Sequence, residues 1–422
     1  MSKVIRLNWT RNVNAPSRAE SRACEYEAYV PDRLVGRQIR LDGSVAAEVA
    51  EAEAALARLD AEAVALVQTE ALARMLLRAE SVASSKIEGL EIGARRLLRA
   101  EAARSMGEIP DVTAAEVLGN IDAMMYSLER VNQGGAITTE LLLDIHRRLL
   151  AGSRIAEEAG LFRNVQNWIG GSDYNPCSAA FVPSPPQYVG ELINDLVAFA
   201  NDDSLPAVAQ AAIAHAQFET IHPFTDGNGR TGRALIHMIL RRRGLAQRVI
   251  APVSLILATW AKDYVAGLTA TRYRGPVTSR EAHEGLNLWI GRFASACKRA
   301  VDDARSFENR ARDLEVRWRA RLERVRAQSA TDLLLPALIG APVLTVNSAS
   351  ELIQRSFVQT NEAVIRLLEA GILRQVTVGR RNRAFEAPDV ISAFTHLERQ
   401  LASPGGTQTS QPARRVPRRG QP

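Results

Sequence analysis

Apolar residues recur every three to four positions along most of this chain, which is the spacing of one helix face. The clearest case, "GSVAAEVAEAEAALARLDAEAVALVQTEALARMLLRAESVASSKIEG" at 43–89, predicts two long helices rich in Ala, Leu and Glu, with Gly89 as the stop. The same period predicts helices over 90–106, 112–132, 139–151, 188–201, 206–220, 229–243, 252–272 and 280–325, the last heavily charged. "VIAPVSLILATW" at 249–260 reads as a core helix; it is too short to span a bilayer and contains Pro252.

The pattern fails in three places. Residues 1–35, with Pro16 and Pro31, read as polar and irregular. Between 152 and 188, "AGLFRNVQNWIGGSDYNPCSAAFVPSPPQ" mixes aromatics, Gly-Gly, Asn-Pro and a Pro cluster, the signature of loop or short hairpin. Beyond residue 402 the Pro, Gly, Ser, Thr and Arg composition reads as disordered. Between 331 and 398 the order is helix, short strand, helix, helix, strand, turn at "VGRRNR", strand and helix, which is that of a winged helix-turn-helix.

Composition narrows the class. With 422 residues and 46% apolar content the chain can build two or three cores. Cys24, Cys177 and Cys297 lie far apart without CxxC spacing, so neither a disulfide framework nor a zinc site is expected, and a reducing cytoplasm fits. "MSKVIRLNWTRN" lacks the apolar core of a signal peptide. The formal charge of +6 is modest, and four arginines of it sit in "QPARRVPRRGQP" at the end, a balance that permits nucleic-acid contact without requiring it.

The chemistry concentrates in "HPFTDGNGRTGR" at 222–233, between two helical patterns. Gly227 and Gly229 bracket Asn228, so successive N–H groups can point at one anion, aided by the positive end of the helix that follows. Arg230 and Arg233 share a helix face and can hold phosphate oxygens with paired donors. Asp226 supplies the hard oxygen that magnesium takes, and His222 is the one group there suited to proton transfer near neutrality. Phe224 is expected to point inward and pin the loop. The lysine and Ser/Thr of a Walker A loop are missing.

This stretch resembles the signature of the Fic (Fic/DOC) family, HxFx(D/E)GNGRxxR, at every fixed position. The resemblance implies an all-α Fic helical bundle with a small β-hairpin flap, here followed by the C-terminal winged helix-turn-helix. It implies transfer of AMP from ATP to a hydroxyl side chain of a protein, with magnesium, or manganese in its place, as cofactor. His222 then resembles the general base, Asp226 the metal ligand, Gly227, Asn228 and Gly229 the anion nest, and Arg230 and Arg233 the residues on the outer phosphates. The aspartate at 226 is the form associated with adenylyl rather than phosphoryl transfer. "GLFRNVQNWIGG" at 160–171 resembles the run before the family's flap and "AAFVPSPP" at 179–186 the flap, which would pair with an extended segment of the protein substrate. Domains are expected at 1–110 (helical, inhibitory), 111–275 (catalytic core), 276–330 (helical extension), 331–398 (winged helix) and 399–422 (basic tail).

"SSKIEG" at 84–89 matches the family's (S/T)xxxE(G/N) inhibitory pattern, with Ser84, Glu88 and Gly89 at its fixed positions. A carboxylate imitates the charge of a γ-phosphate and can pair with a guanidinium. The resemblance therefore implies that Glu88 binds Arg233 and holds basal activity low, and that a homodimer can control the brake. In some relatives the same glutamate positions a water that removes AMP, and the sequence leaves both roles open. In the C-terminal unit, Gln359, Thr360 and Asn361 at a helix start, with Arg380, Arg381 and Arg383 on the wing, are the candidate DNA contacts. A DNA-binding regulator whose core senses nucleotide or modifies itself is thus the alternative to an enzyme. No membrane partner is expected.

Overall fold

A computed structural model describes residues 2–63, 69–378 and 382–400. The chain opens with an antiparallel hairpin, β1 (Lys3–Trp9) and β2 (Cys24–Val30), paired from Lys3↔Val30 to Trp9↔Cys24. A helical bundle follows: α1 (Gly43–Ala63), α2 (Thr69–Ile87), α3 (Ala94–Ser105), α4 (Val112–Arg130) and α5 (Thr139–Leu150). After an irregular stretch come α6 (Pro186–Ala200), α7 (Ala207–Ile221), α8 (Asn228–Arg242), α9 (Val253–Thr259), α10 (Ala261–Ala270) and the 42-residue α11 (Arg280–Arg321). The last unit is α12 (Ala330–Gly340), β3 (Val343–Leu344), α13 (Val346–Ile353), α14 (Phe357–Glu369), β4 (Arg374–Val378), β5 (Asn382–Glu386) and α15 (Pro388–Gln400). Its sheet has the order β3-β5-β4, all antiparallel, so the chain is a helical bundle with a winged-helix-like C-terminal element.

Two differences from expectation concern the elements. Residues 1–35 are not irregular: β1 and β2 pair there. Apolar Ile5, Leu7 and Trp9 alternate with exposed Arg6 and Asn8, the period of a half-buried strand. The expected helix over 252–272 is broken at Trp260, and only 253–259 of the 249–260 stretch is helical. Pro252 keeps the residue before it out of the helical region and becomes the N-cap. Among the described residues no helix is long and apolar enough to cross a membrane.

A third difference concerns chemistry. Cys24 and Cys177 form a disulfide, contrary to the reading of three isolated thiols, and Cys297 is buried and free. The pair is 153 residues apart, so spacing could not reveal it; β2 delivers one partner to the irregular stretch that holds the other. The argument from cysteine usage for a reducing compartment therefore loses its basis.

The core is centred on α7 and α8. Every residue of α7 is buried, and its run of alanines lets neighbouring helices approach on all sides. The long α11 packs along α1, α7, α9 and α10, and Trp289 donates to the Ala212 carbonyl of α7 at 2.7 Å. At the crossing with α10, Gly285 lies so near that a Cβ would stand 2.0 Å from the Ala270 carbonyl oxygen.

The C-terminal unit is fastened to the bundle through buried polar contacts. Glu386 on β5 is fully buried and accepts from Arg99 of α3 at 2.8 and 3.0 Å, and also from Arg374. Arg78 of α2 donates to the Gly340 carbonyl of α12 at 2.6 Å and pairs with Glu101 of α3 at 2.9 Å. A buried carboxylate surrounded by guanidinium groups is expensive to remove because its partners stay behind. Glu386→Ala should therefore lower stability by about 3 kcal/mol, read as the urea midpoint. Glu27→Ala, at the exposed pair with Arg274, should move it by less than about 1 kcal/mol.

Candidate active site

The stretch 222–233 forms the turn between α7 and α8. His222 caps α7 in the left-handed region at φ 52°, its N–H bonded to the Phe218 carbonyl. A non-glycine residue in that region is uncommon and persists where its surroundings impose it. The turn is held from inside by Phe224, fully buried as expected, which stacks on the His146 ring with 3.7 Å between centroids. The Asn228 side chain closes the loop on itself, accepting from Phe224 N and donating to Phe224 O, both at 2.8 Å. Gly227 sits at φ 75° as the N-cap of α8, and a Cβ there would stand 2.9 Å from Leu149.

Asp226 is about one-third exposed and accepts from Arg230 Nη2 at 3.1 Å. Arg230 is nearly buried, yet its Nε and Nη1 have no partner among the described residues, and Arg233 Nη1 has none either. Buried guanidinium donors without acceptors at a helix start are what an anion would satisfy. Arg233 is wholly buried: its Nε donates to Ser84 Oγ at 2.8 Å, and its Nη2 to Ser84 O at 2.7 Å and Glu88 Oε1 at 2.8 Å. Glu88 follows the last residue of α2, and Gly89 at φ 81° turns the chain away. A Cβ at Gly229 would stand 1.9 Å from Glu88 Oε1, so the glycine is needed for this contact as well as for the turn.

His222 is about one-fifth exposed. Burial and the neighbouring Arg163 guanidinium press its pKa down to about 3, so the imidazole is neutral and able to accept a proton at physiological pH.

The flap region hangs on this turn. Residues 169 and 181 form an antiparallel bridge, with both Ile169–Phe181 backbone hydrogen bonds present. Behind them Tyr29 N of β2 donates to Val182 O at 3.0 Å, and the Cys24–Cys177 disulfide joins the same hairpin to the segment just before. Trp9 packs edge-on against Trp168, at 5.2 Å, which pins the hairpin to the 160–171 run.

Several residues escaped the sequence reading. Arg163 is buried and donates to His222 O at 2.7 Å, Val165 O at 3.0 Å, and the Ser184 and Ile221 carbonyls. It thus fixes the His222 turn and the flap end with one side chain. His146 accepts from Gly160 N at 2.9 Å through Nδ1, so Nε2 bears the proton and donates to the Asp226 carbonyl at 3.0 Å. Behind the turn lie Glu219, Tyr264 and Arg272. Glu219 was the most legible of these: it is the one acid in the otherwise uncharged helix "AVAQAAIAHAQFETI".

Of the described candidate DNA contacts, one faces the core. Thr360 is fully buried and its hydroxyl donates to the Ser356 carbonyl, while Gln359 is engaged in the capping box of α14. The exposed residues of α14 are Phe357, Val358, Gln359, Glu362, Ile365 and Glu369, a set without a basic side chain. Asn361 is half-buried and Arg383 exposed; Arg380 and Arg381 lie outside the described residues.

Comparison with known proteins bears on the same segments. Residues 136–240 match the Fic/DOC family model, and residues 46–129 match the model described as Fic/DOC family N-terminal. The chain is 35% identical over 158 residues to protein adenylyltransferase fic-1 of Caenorhabditis elegans, covering 37% of this chain and 29% of that protein. It is 37% identical over 139 residues to protein adenylyltransferase Fic of Aedes aegypti, covering 32% and 26% respectively. The match thus spans less than a third of either relative's length. A Fic family protein from Desulfovibrio desulfuricans G20 shares the fold, with a TM-score of 0.51 at 20% identity over 83% of this chain and 98% of that one.

The buried histidines set an acid limit on this site. Burial holds His146 near pKa 4 and His215 and His222 near 3, all below the ordinary 6.5, so each is neutral when folded and takes up a proton on unfolding in acid. Glu219, raised to about 7, works the other way over its own window, because it releases a proton on unfolding between pH 4.5 and 7. Three groups outweigh one. The thermal midpoint should hold steady just above pH 7 and fall as pH drops from 6.5 towards 4, with unfolding taking up about two protons. Melting curves across that range check the slope.

Proposed function

We propose that this chain, whose residues 46–129 and 136–240 match Fic/DOC family models, transfers AMP from ATP to a hydroxyl side chain of a target protein, restrained by its own Glu88. The observation behind the proposal is the set of unpartnered guanidinium donors of Arg230 and Arg233 at the start of α8, beside the neutral His222. In the reaction, the target oxygen bonds to the α-phosphorus, the bond to the bridging oxygen breaks, and pyrophosphate leaves. His222 takes the hydroxyl proton, which its depressed pKa permits as a neutral acceptor. The arginines and the N–H groups from Gly227 to Gly229 face the charge that grows on the departing phosphates.

Magnesium fits the donor chemistry. Among the described residues no group of three or more His, Cys, Asp or Glu is arranged to hold a metal. Asp226 offers one partly exposed carboxylate, which suits an ion that takes its remaining oxygens from water and substrate phosphates. When bound, the ion would neutralise phosphate charge.

The restraint follows from burial. Arg233 reaches the outer phosphate only if Glu88 gives up its place on Nη2, since the guanidinium has no exposed edge on which to bind both. The flap at 179–186 would align an extended segment of the target.

Intact-mass and peptide spectrometry after incubation with ATP and magnesium tests these roles together. Glu88→Gly should raise AMP incorporation, into itself or a lysate protein, at least tenfold over the unchanged chain. His222→Ala in that background should lower it by about 10²–10⁴-fold. Equal incorporation with and without His222 removes the proposed base. Loss of AMP from a modified protein with the unchanged chain, but not with Glu88→Gly, assigns the reverse reaction to Glu88.

A further inference from the structure

The buried acid behind the catalytic turn has no part in the family signature, yet its position is specific. Glu219 lies one turn before His222 on α7, with Oε2 3.9 Å from His222 Nδ1. Glu219 Oε1 is buried without a hydrogen-bond partner among the described residues, and the Glu219 main-chain carbonyl is the competing acceptor for the His222 ring. α8 leaves room for the acid by omitting a side chain, since a Cβ at Gly232 would stand 3.0 Å from Glu219 Oε1.

We propose that Glu219 is the positioning residue of the base: its carboxylate accepts the Nδ1 proton of His222 and so leaves Nε2 free to take the proton of the target hydroxyl. This inference rests on the transferase reading above. The present separation is about 1 Å too long for a hydrogen bond, and such contacts commonly tighten only when substrate is bound. Ionised, Glu219 can only accept, which selects the tautomer protonated on Nδ1. Protonated, it can donate to Nδ1 instead, which moves the ring proton to Nε2 and removes the acceptor that the chemistry needs. After proton transfer, the carboxylate also stabilises the imidazolium.

The groups around Glu219 place this change near neutrality. Burial raises its pKa first and the Glu88 charge adds to it; Arg233 of α8 and Arg272, just beyond α10, oppose, leaving the value at about 7. Tyr264 of α10 and His215, one turn back on α7, complete the surroundings. Arg272 also lies under the flap, 3.6 Å from the Phe181 ring centroid, so the flap and the acid share a cation. Removing Glu88 takes away a like charge and should lower the pKa of Glu219, so release of the brake favours the ionised, base-supporting form.

The test uses the full chain labelled with ¹⁵N in its histidine rings, six in all, with His222→Ala to assign the signal. His146 serves as an internal reference, its tautomer being set by Gly160 and Asp226. In the unchanged protein, His222 should pass from the Nε2–H to the Nδ1–H form as pH rises through about 7. Glu219→Gln should abolish the passage, and Glu219→Asp should retain part of it. An Nδ1–H tautomer at every pH in both proteins overturns the proposal, because the Glu219 main-chain carbonyl would then hold the ring. This readout does not depend on AMP transfer, so it decides the role of Glu219 even if the transferase reading fails. In the Glu88→Gly background, transfer should lose its acid limb on Glu219→Gln and fall in kcat by about 10–100-fold, the usual effect of losing such a partner, with KM for ATP little changed. A tautomer passage without any loss of kcat also overturns the proposal.

Discussion

The arrangement of this molecule depends on one buried cation. Arg233 is fully sequestered in α8, and an unpaired guanidinium there would be prohibitively unfavourable. Ser84 and Glu88 of the α2 end supply the acceptors, and they do so from 149 and 145 residues earlier in the chain. Once that pairing is imposed, α2 must run alongside α8, its last turn must end at the catalytic loop, and Gly229 must lack a side chain. A nucleotide phosphate on Arg233 would have to offer at least the stabilisation that Glu88 already provides. The contact proposed as the brake and the folding requirement are therefore the same interaction.

The rest of α2 is tied down with equal care. Glu80, fully buried at mid-helix, lies 2.9 Å from His237 Nε2 of α8 and accepts from Ser254 N of α9 at 2.8 Å. Asn120 of α4 donates to Ser81 O and Ser85 Oγ at 2.8 and 3.0 Å. On the far side Arg78 reaches the Gly340 carbonyl of α12, and a Cβ at Gly340 would stand 2.6 Å from Ala71 Cα. Helix α2, which ends beside Glu88, is thus packed between α8 and the C-terminal unit. The C-terminal unit also packs on α3 and α11, so α2 is one of three helices that join it to the rest of the bundle.

What the sequence made legible follows from how local each signal was. The twelve residues 222–233 and the six residues 84–89 were readable because backbone turn and side-chain chemistry are encoded side by side there. Helices with a strong apolar period were readable for the same reason, and so was the strand and helix order of the C-terminal unit. The β1–β2 hairpin carries an alternation over Ile5–Trp9, but the long connection between its strands gives no tight-turn signal. Arg163 and His146 act on backbone carbonyls far away in sequence, and nothing in their own neighbourhoods announces that. The Cys24–Cys177 bond belongs to the same class: only the folded chain brings the two residues together. Thr360 shows the reverse error, a polar residue at a helix start that turned out to face the core.

These long-range contacts explain how His222 can occupy its unfavourable backbone conformation. Its carbonyl is gripped by Arg163, its N–H by Phe218, and the loop beyond it by Phe224, Asn228 and His146. Each contact is ordinary, and together they outweigh a local strain of about 1–3 kcal/mol. The consequence is chemical: a ring held in a pocket flanked by Arg163 and Arg272 stays neutral well below physiological pH. A histidine on a free loop would be partly protonated under the same conditions. The surroundings that hold the ring in place therefore also keep it neutral, and they do so by weakening it as a base.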